Sequence, residues 1–230
     1  MINLLFLKLL LISLLLTICN SLYAEKAFGG SNSSVELFSN QNNKYFYYFK
    51  MGNWYYVDDV SIKSLGRNNT VMRSAVAYNA SKKLSLWLGY GVRQLLSDSN
   101  AIEQMAWEQA EFEVMRRERM IVVQRSRLEE RVSHLVGGTS VRLREATLIK
   151  FKQLISEKIS PVFFEEAFIL LNHPAWVSKK TISANRAFLG VEIPLDKQMG
   201  LQVGYMNLML NADKTQHVNM LYLSFIAHFE

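Results

Sequence analysis

Arginines and glutamates recur at alternate positions along this chain of 230 residues. Arg125, Arg127, Glu129 and Arg131 share one parity, and Arg142 and Arg144 repeat the pattern further on. Glu111 and Glu113 precede them; Glu165, Arg186 and Glu192 follow. A spacing of two puts residues on one face of a β-strand, because successive side chains point to opposite sides. Charges of both signs on neighbouring strands can then pair laterally, Glu111 with Arg125 across a hairpin and Glu129 or Glu165 with the arginines beside them. Two chemistries fit this pattern: an internal brace of ion pairs, or a charged constriction that selects small anions. The brace asks for less, since a membrane barrel needs inward polar residues in any case.

Acid–base chemistry has fewer candidates. The four histidines are His134, His173, His217 and His228. Ser133 and His134 are adjacent and point to opposite faces of a strand, so they cannot form one site. Ser224 and His228 share a face but stand about 13 Å apart along a strand. His134 remains the least poor candidate for a hydrolase, with Ser140 or Ser178 as its loop partner. Glu165 and Glu166 also point apart, which argues against a glycosidase pair. No nucleophile-elbow, zinc-protease, phosphate-loop or dinucleotide motif occurs. Cys19 is the only cysteine, so neither a metal site nor a cofactor is expected, and an enzyme is the weaker reading. The net charge of +6 is mild, with no basic stripe to suggest nucleic acid.

The elements that would position these charges are strands. From Gln216 to Phe229, Leu221, Leu223, Phe225, Ala227 and Phe229 make one apolar face ending in an aromatic. Outer-membrane barrels end in such a strand, which serves the assembly machinery as a signal; here Glu230 trails it. Reading backward, strands are expected at Met199–Leu210, Ile182–Ile193, Pro161–Leu171, Thr139–Leu154 and Met120–Leu135. Gln104–Met115, Leu84–Leu96, Val71–Ala80 and Trp54–Val60 complete a set of about ten. Most meet the roughly nine to eleven residues that a tilted membrane strand needs. On Leu84–Leu96, Leu84, Leu86, Leu88, Tyr90 and Val92 oppose Ser85, Trp87, Gly89, Gly91 and Arg93. Two residues break the alternation: Glu130 and Glu145 fall on the apolar face, to be explained by a bulge or by a place near a rim. Longer connections alternate with shorter ones, as outer loops alternate with periplasmic turns.

Met1–Ala24 reads as an export signal: Lys8, the apolar run Leu9–Ile18, then small or polar residues and a cut after Ala24, with Ser21 as a second position. Lipidation at Cys19 and a retained anchor are weaker alternatives. Residues 25–52 form either a leader or an extra strand pair built on Tyr45–Phe49, which would raise the count to twelve, and Glu25–Asn43 looks like a poorly ordered leader. Residues 53–230 form the barrel. The expectation is an all-β, antiparallel, up-and-down transmembrane β-barrel in the bacterial outer membrane. Outer-membrane lipid and the barrel-assembly machinery are its partners, with no nucleic acid. It is structural or a narrow pore. Two alternatives stay open: a lipid-modifying hydrolase, and a soluble periplasmic barrel with leucines lining the cavity and arginines in water.

Six segments, taken in order, carry a resemblance: "RLEERV" (Arg127–Val132), "VRLREATL" (Val141–Leu148), "EEAFILLN" (Glu165–Asn172), "NRAFLGVEI" (Asn185–Ile193), "LQVGYMNLMLN" (Leu201–Asn211) and "HVNMLYLSF" (His217–Phe225). Together with Trp176 they resemble a bacterial domain-of-unknown-function family, number 2490, regarded as outer-membrane β-barrels. The resemblance covers roughly Val71 to Phe229. It implies an envelope location and a barrel, and it brings no catalytic residues with it.

Overall fold

The computed structural model describes residues 30–56, 68–96, 102–134, 137–152, 154, 159–211 and 215–229. The export signal and Glu230 lie outside the described residues. Among the described residues the chain forms eleven strands and one closed barrel. They are β1 Gly30–Ser39, β2 Tyr45–Tyr56, β3 Asn68–Asn79, β4 Leu84–Leu96, β5 Ile102–Arg117 and β6 Met120–Ser133. The rest are β7 Thr139–Phe151, β8 Ser160–Leu170, β9 Ile182–Pro194, β10 Met199–Asn211 and β11 Thr215–Phe229. Consecutive strands pair antiparallel, with Glu111 opposite Arg125 and Glu166 opposite Arg186 in the register.

The count of eleven is near the expected ten. Eleven is odd, so the first and last strands run the same way, and β1 closes the barrel on β11 as a parallel pair from Gly30↔Met220 to Ser39↔Phe229. A parallel ladder is only slightly weaker per residue than an antiparallel one. Closing the ring removes both edges, whose unpaired N–H and C=O groups would otherwise stay open. Inside this seam, Ser34 Oγ donates to Ser224 Oγ at 2.9 Å. The leader reading of Glu25–Asn43 therefore fails for Gly30–Ser39, which is β1. Tyr45–Phe49 belongs to β2, where Phe46 and Tyr48 turn inward and Tyr45 and Tyr47 outward.

The two ends of the barrel differ in their connections. At the turn end, β3 passes to β4 through a turn in which Ser81 Oγ accepts the backbone N–H groups of Lys83 and Leu84 at 3.2 and 3.1 Å. On the way from β9 to β10, Asp196 Oδ1 does the same for Gln198 and Met199, at 2.7 Å each. Such local bonds favour turns over continued strand. Pro161 and Pro194 sit at the start of β8 and the end of β9, where a missing N–H costs the ladder least.

Side chains fill the lumen in two apolar blocks. Phe46, Trp87, Met105 and Trp107 occupy the β2–β5 wall. Phe168, Phe188, Met206 and Tyr222 occupy the wall from β8 to β11. One close approach demands glycine: a Cβ on Gly89 would stand 2.2 Å from the Trp107 ring. Leu88 and Leu221 point out, half to two-thirds exposed, whereas Leu170 and Leu208 are buried inside. The lumen arginines point in, not into water as the soluble ligand-binding alternative had them.

Candidate functional site: the charged lumen

The alternation of Arg125, Arg127, Glu129 and Arg131 on β6 becomes an inward row, as do Arg142 and Arg144 on β7. Between them lies a buried network built on two carboxylates. Glu129 has Arg142 and Arg144 in direct contact, and Arg127 and Arg73 at 3.6 and 3.8 Å. Glu166 meets Arg144 and Arg125 at 2.8 Å and Arg186 at 2.6 Å. Glu129 and Glu166 are fully buried, and Arg144, which joins them, is 2% exposed. Its Nε and Nη2 both donate to Glu166 Oε1, at 3.1 and 2.8 Å. Two carboxylates thus serve six arginines. Buried charges on this scale need paired and hydrogen-bonded partners.

Aromatic faces carry part of the remaining positive charge. The Arg127 guanidinium lies 4.1 Å from the Trp107 ring centroid, and Arg144 and Arg142 lie 4.7 and 5.0 Å from that of Phe168. Arg186 stands 5.3 Å from Phe164. Such contacts strengthen once the cation loses water. Arg127 also donates through Nε and Nη2 to Gln109 Oε1, at 2.8 and 2.6 Å.

Smaller groups flank the network. Glu103, near the loop end of β5, contacts Arg131 directly and Arg93 at 3.8 Å. Lys50 bonds Glu36 at 2.5 Å. Lys150 contacts Glu192, which also accepts the Gln202 amide at 3.0 Å.

Most of the residues singled out in the sequence face the lumen. Glu165 does not: it points outward and is exposed, and its neighbour Glu166 is the lumen carboxylate. Both faces of β8 are largely apolar, so alternation alone cannot choose a phase there. Register against Arg186, directly opposite Glu166, was the signal that would have found it. The pair of Glu111 with Arg125 also does not form: Arg125 reaches across to Glu166, and Glu111 receives the Gln109 amide at 3.4 Å. Glu113 stands apart from the network, bonded to Arg116 three residues on at the turn end. Glu192 pairs with Lys150 rather than with an arginine. Glu36 and Arg73 sit as single charges on their strands and were not singled out, Glu103 fell just ahead of the strand expected from Gln104, and Arg93 was placed on its face without a partner. No bulge re-phases Glu130 or Glu145, since the β6–β7 register runs unbroken from Met120↔Phe151 to Val132↔Thr139. His134 comes to neither serine: its Nδ1 lies 2.9 Å from the backbone N–H of Ile102, and the Ser178 hydroxyl donates to the Asn211 carbonyl.

A cavity of about 320 Å³ passes beside the network, lined by Lys50, Arg73, Arg93, Arg125, Arg142 and Arg186 among others. Phe38 and Ile226 also line it, and they line a second recess of about 340 Å³ at the turn end with Lys150, Glu192 and His228. The buried Nε atoms of Arg73, Arg93 and Arg125 have no hydrogen-bond acceptor among the described residues. Chemically, the lumen offers positive charge and spare N–H donors to a solute.

Among known proteins, the chain is similar to an uncharacterised protein of Methylorubrum extorquens, 26% identical over 147 residues, or 60% of this chain and 61% of the relative. The match thus spans about three-fifths of that relative's length. Among solved structures, the NanC porin superposes with a TM-score of 0.52 and 9% identity over 78% of this chain and 85% of the porin. A bacterial polysaccharide outer-membrane secretin gives the same TM-score and identity over 82% of this chain and 65% of the secretin. At these identities the likeness concerns the barrel fold. The model of the family described as "Protein of unknown function (DUF2490)" matches residues 36–219, and the chain belongs to that family.

Proposed function

We propose that this protein is an outer-membrane barrel whose lumen is a narrow, anion-preferring passage. The observation that carries the proposal is the imbalance at the centre of the lumen: six arginines around Glu129 and Glu166, beside a cavity whose lining holds eight cationic side chains and three carboxylates, Glu36, Glu103 and Glu111. Fixed positive charge in a low-dielectric wall raises the local concentration of anions and turns cations away. Membrane placement is supported by the largely apolar outer faces of β2, β4 and β9–β11, by strands of at least ten residues, and by the likeness to a barrel titled a porin. The side chains that fill the lumen restrict any passage to small solutes.

A second reading has its own observation. Glu129, Glu166 and Arg144 are almost wholly buried, which suits a permanent brace that conducts nothing. Planar-bilayer recording with the purified, refolded chain separates the two. The channel reading expects small unitary conductance and a reversal potential displaced toward the anion equilibrium value in a salt gradient. Arg125→Gln, at the partly exposed edge of the network, should reduce that displacement. Protein that inserts, as judged by a heat-dependent mobility shift on gels, yet gives no conductance, leaves the brace alone standing.

A further inference from the structure

The wall of the lumen cavity changes character along the barrel axis. Pairing across β6–β9 puts Arg125, Ala146, Glu166 and Arg186 side by side in one inward row. Two residues nearer the turn end, the next inward row is Val123, Leu148, Phe164 and Phe188. Successive inward rows stand about 7 Å apart along a strand. Val123, Leu148 and Phe164 line the cavity, and Ile226 on β11 lines it from the opposite wall. A charged band thus borders an apolar floor.

The band is open at Arg125. This residue donates through Nη2 to Glu166 at 2.8 Å, its side chain keeps 28% exposure, and its buried Nε has no acceptor among the described residues. The carboxylates nearby leave a surplus of positive charge. Eight cationic side chains line the cavity, against Glu36, Glu103 and Glu111 on its wall and Glu129 and Glu166 behind it. Glu36 and Glu103 are already paired with Lys50 and Arg131. Glu111, opposite Arg125 in the ladder, takes the Gln109 amide. An inorganic anion would use this charge and leave the apolar floor in water. A polyhydroxylated acid would set its hydroxyls against Val123, Leu148 and Phe164, whose side chains offer no hydrogen bond in return.

Resting on the anion-passage reading above, we propose that this cavity is a binding site for a small amphipathic carboxylate, an acid group on an unsubstituted hydrocarbon body. The carboxylate pairs with the open guanidinium of Arg125. The body runs toward the turn end over Val123, Leu148 and Phe164, where its burial takes apolar surface out of water. The cavity, about 320 Å³, lies at the lower end of the range of small-molecule sites, roughly 300–1,000 Å³, and so suits a short body. Phe38 and Ile226 line both this cavity and the turn-end recess, so the apolar end is the one that adjoins the recess.

The test uses the full chain folded in detergent, with hexanoate and gluconate as probes. These monocarboxylates have equal chain length and the same charge at neutral pH, and differ only in the hydroxyls of gluconate. Isothermal titration calorimetry should show hexanoate binding at least about tenfold more tightly. Arg125→Gln should lose hexanoate binding, whereas uptake into detergent would not change. Leu148→Gln should lose the preference over gluconate. Val123→Thr, which adds a hydroxyl at nearly constant volume, should lower it, and Leu88→Ala on the outer face should keep it. The heat-dependent mobility shift checks that each variant is folded. Equal affinity for the two acids, tighter gluconate, no binding of either, or a preference that survives Leu148→Gln and Val123→Thr overturns the site. The passage is tested apart from it. Chloride conductance in planar bilayers without a hexanoate preference in calorimetry keeps the passage and overturns the site. Hexanoate binding by a chain that inserts and never conducts keeps the site and overturns the passage.

Discussion

Glu165 and Glu166 are neighbours on β8 and have opposite surroundings. Glu166 is fully buried and held by three arginines; Glu165 is exposed on the outer face and takes one amide from Asn185. The contrast holds along β5–β8. Inside, Glu103, Glu129 and Glu166 each sit against guanidinium groups. Outside, Glu145 and Glu165 are served only by neutral donors. A carboxylate that faces in is part of a charge balance on which folding depends. One that faces out is held by neutral neighbours alone, and the folded barrel depends on it less.

The sharpest way to break this comparison is to remove each member in turn. Glu166→Leu strands Arg125, Arg144 and Arg186 in the lumen without their shared counter-ion, and removing one partner of a buried ion pair costs about 3–5 kcal/mol. The expected result is loss of most of the folded species in a urea titration followed by gel mobility in detergent. If Glu166→Leu unfolds at the wild-type urea concentration, the lumen network is not what holds the barrel.

The same contrast on β4 uses packing instead of charge. Gly89→Val drives a side chain into Trp107, whose ring would stand 2.2 Å from the new Cβ. Overpacking of this kind costs about 1–3 kcal/mol. It also displaces the ring under Arg127, which lies 4.1 Å from the Trp107 centroid. Leu88→Ala, one residue away on the outer face and 66% exposed, should leave the urea midpoint nearly unchanged. Equal shifts for the two variants would show that the inner wall is loosely packed.

How much of this was legible in the sequence follows from the strength of the alternation. On β4 and β9 one face is polar or glycine-rich and the other largely apolar, and on β6 and β7 the arginines recur at every second position, so parity gives the phase of Arg93, Arg127, Arg144 and Arg186 even though Glu130 and Glu145 lie on the opposite face. On β8 the run Phe163-Phe164-Glu165-Glu166 is apolar and acidic on both faces, and the phase is set by pairing with β9, a long-range fact. β1 was hidden because its inward positions are Asn32, Ser34 and Glu36, which look like a polar leader until β11 lies alongside. The hub role of Glu129 was invisible because it depends on Arg73 from β3, far away in the chain.

Glu165→Leu tests the outer member of the first comparison. In a bilayer it exchanges a carboxylate for a residue that lipid prefers, a gain of about 1 kcal/mol, below the figure for basic residues at the midplane. Unfolding measured from lipid vesicles at protein dilutions too low for self-association should therefore shift to higher urea. A shift to lower urea there would mean that Glu165 supports the barrel from within, and the distinction between the two faces would fail.

Glu130→Leu should have the smallest effect, and its smallness is informative. Glu130 faces outward like Glu165, but it lies three residues from the loop end of β6, opposite Ala106 and Val141. At that height a carboxylate reaches interfacial water, and the cost of a charge falls toward zero. Its replacement should move the urea midpoint by less than about 0.5 kcal/mol in either direction, as for ordinary surface sites. With the gain at Glu165 measured in the same vesicles, the pair becomes a depth gauge. A larger gain at Glu130 than at Glu165 would put the hydrophobic zone at the loop end instead of at mid-strand.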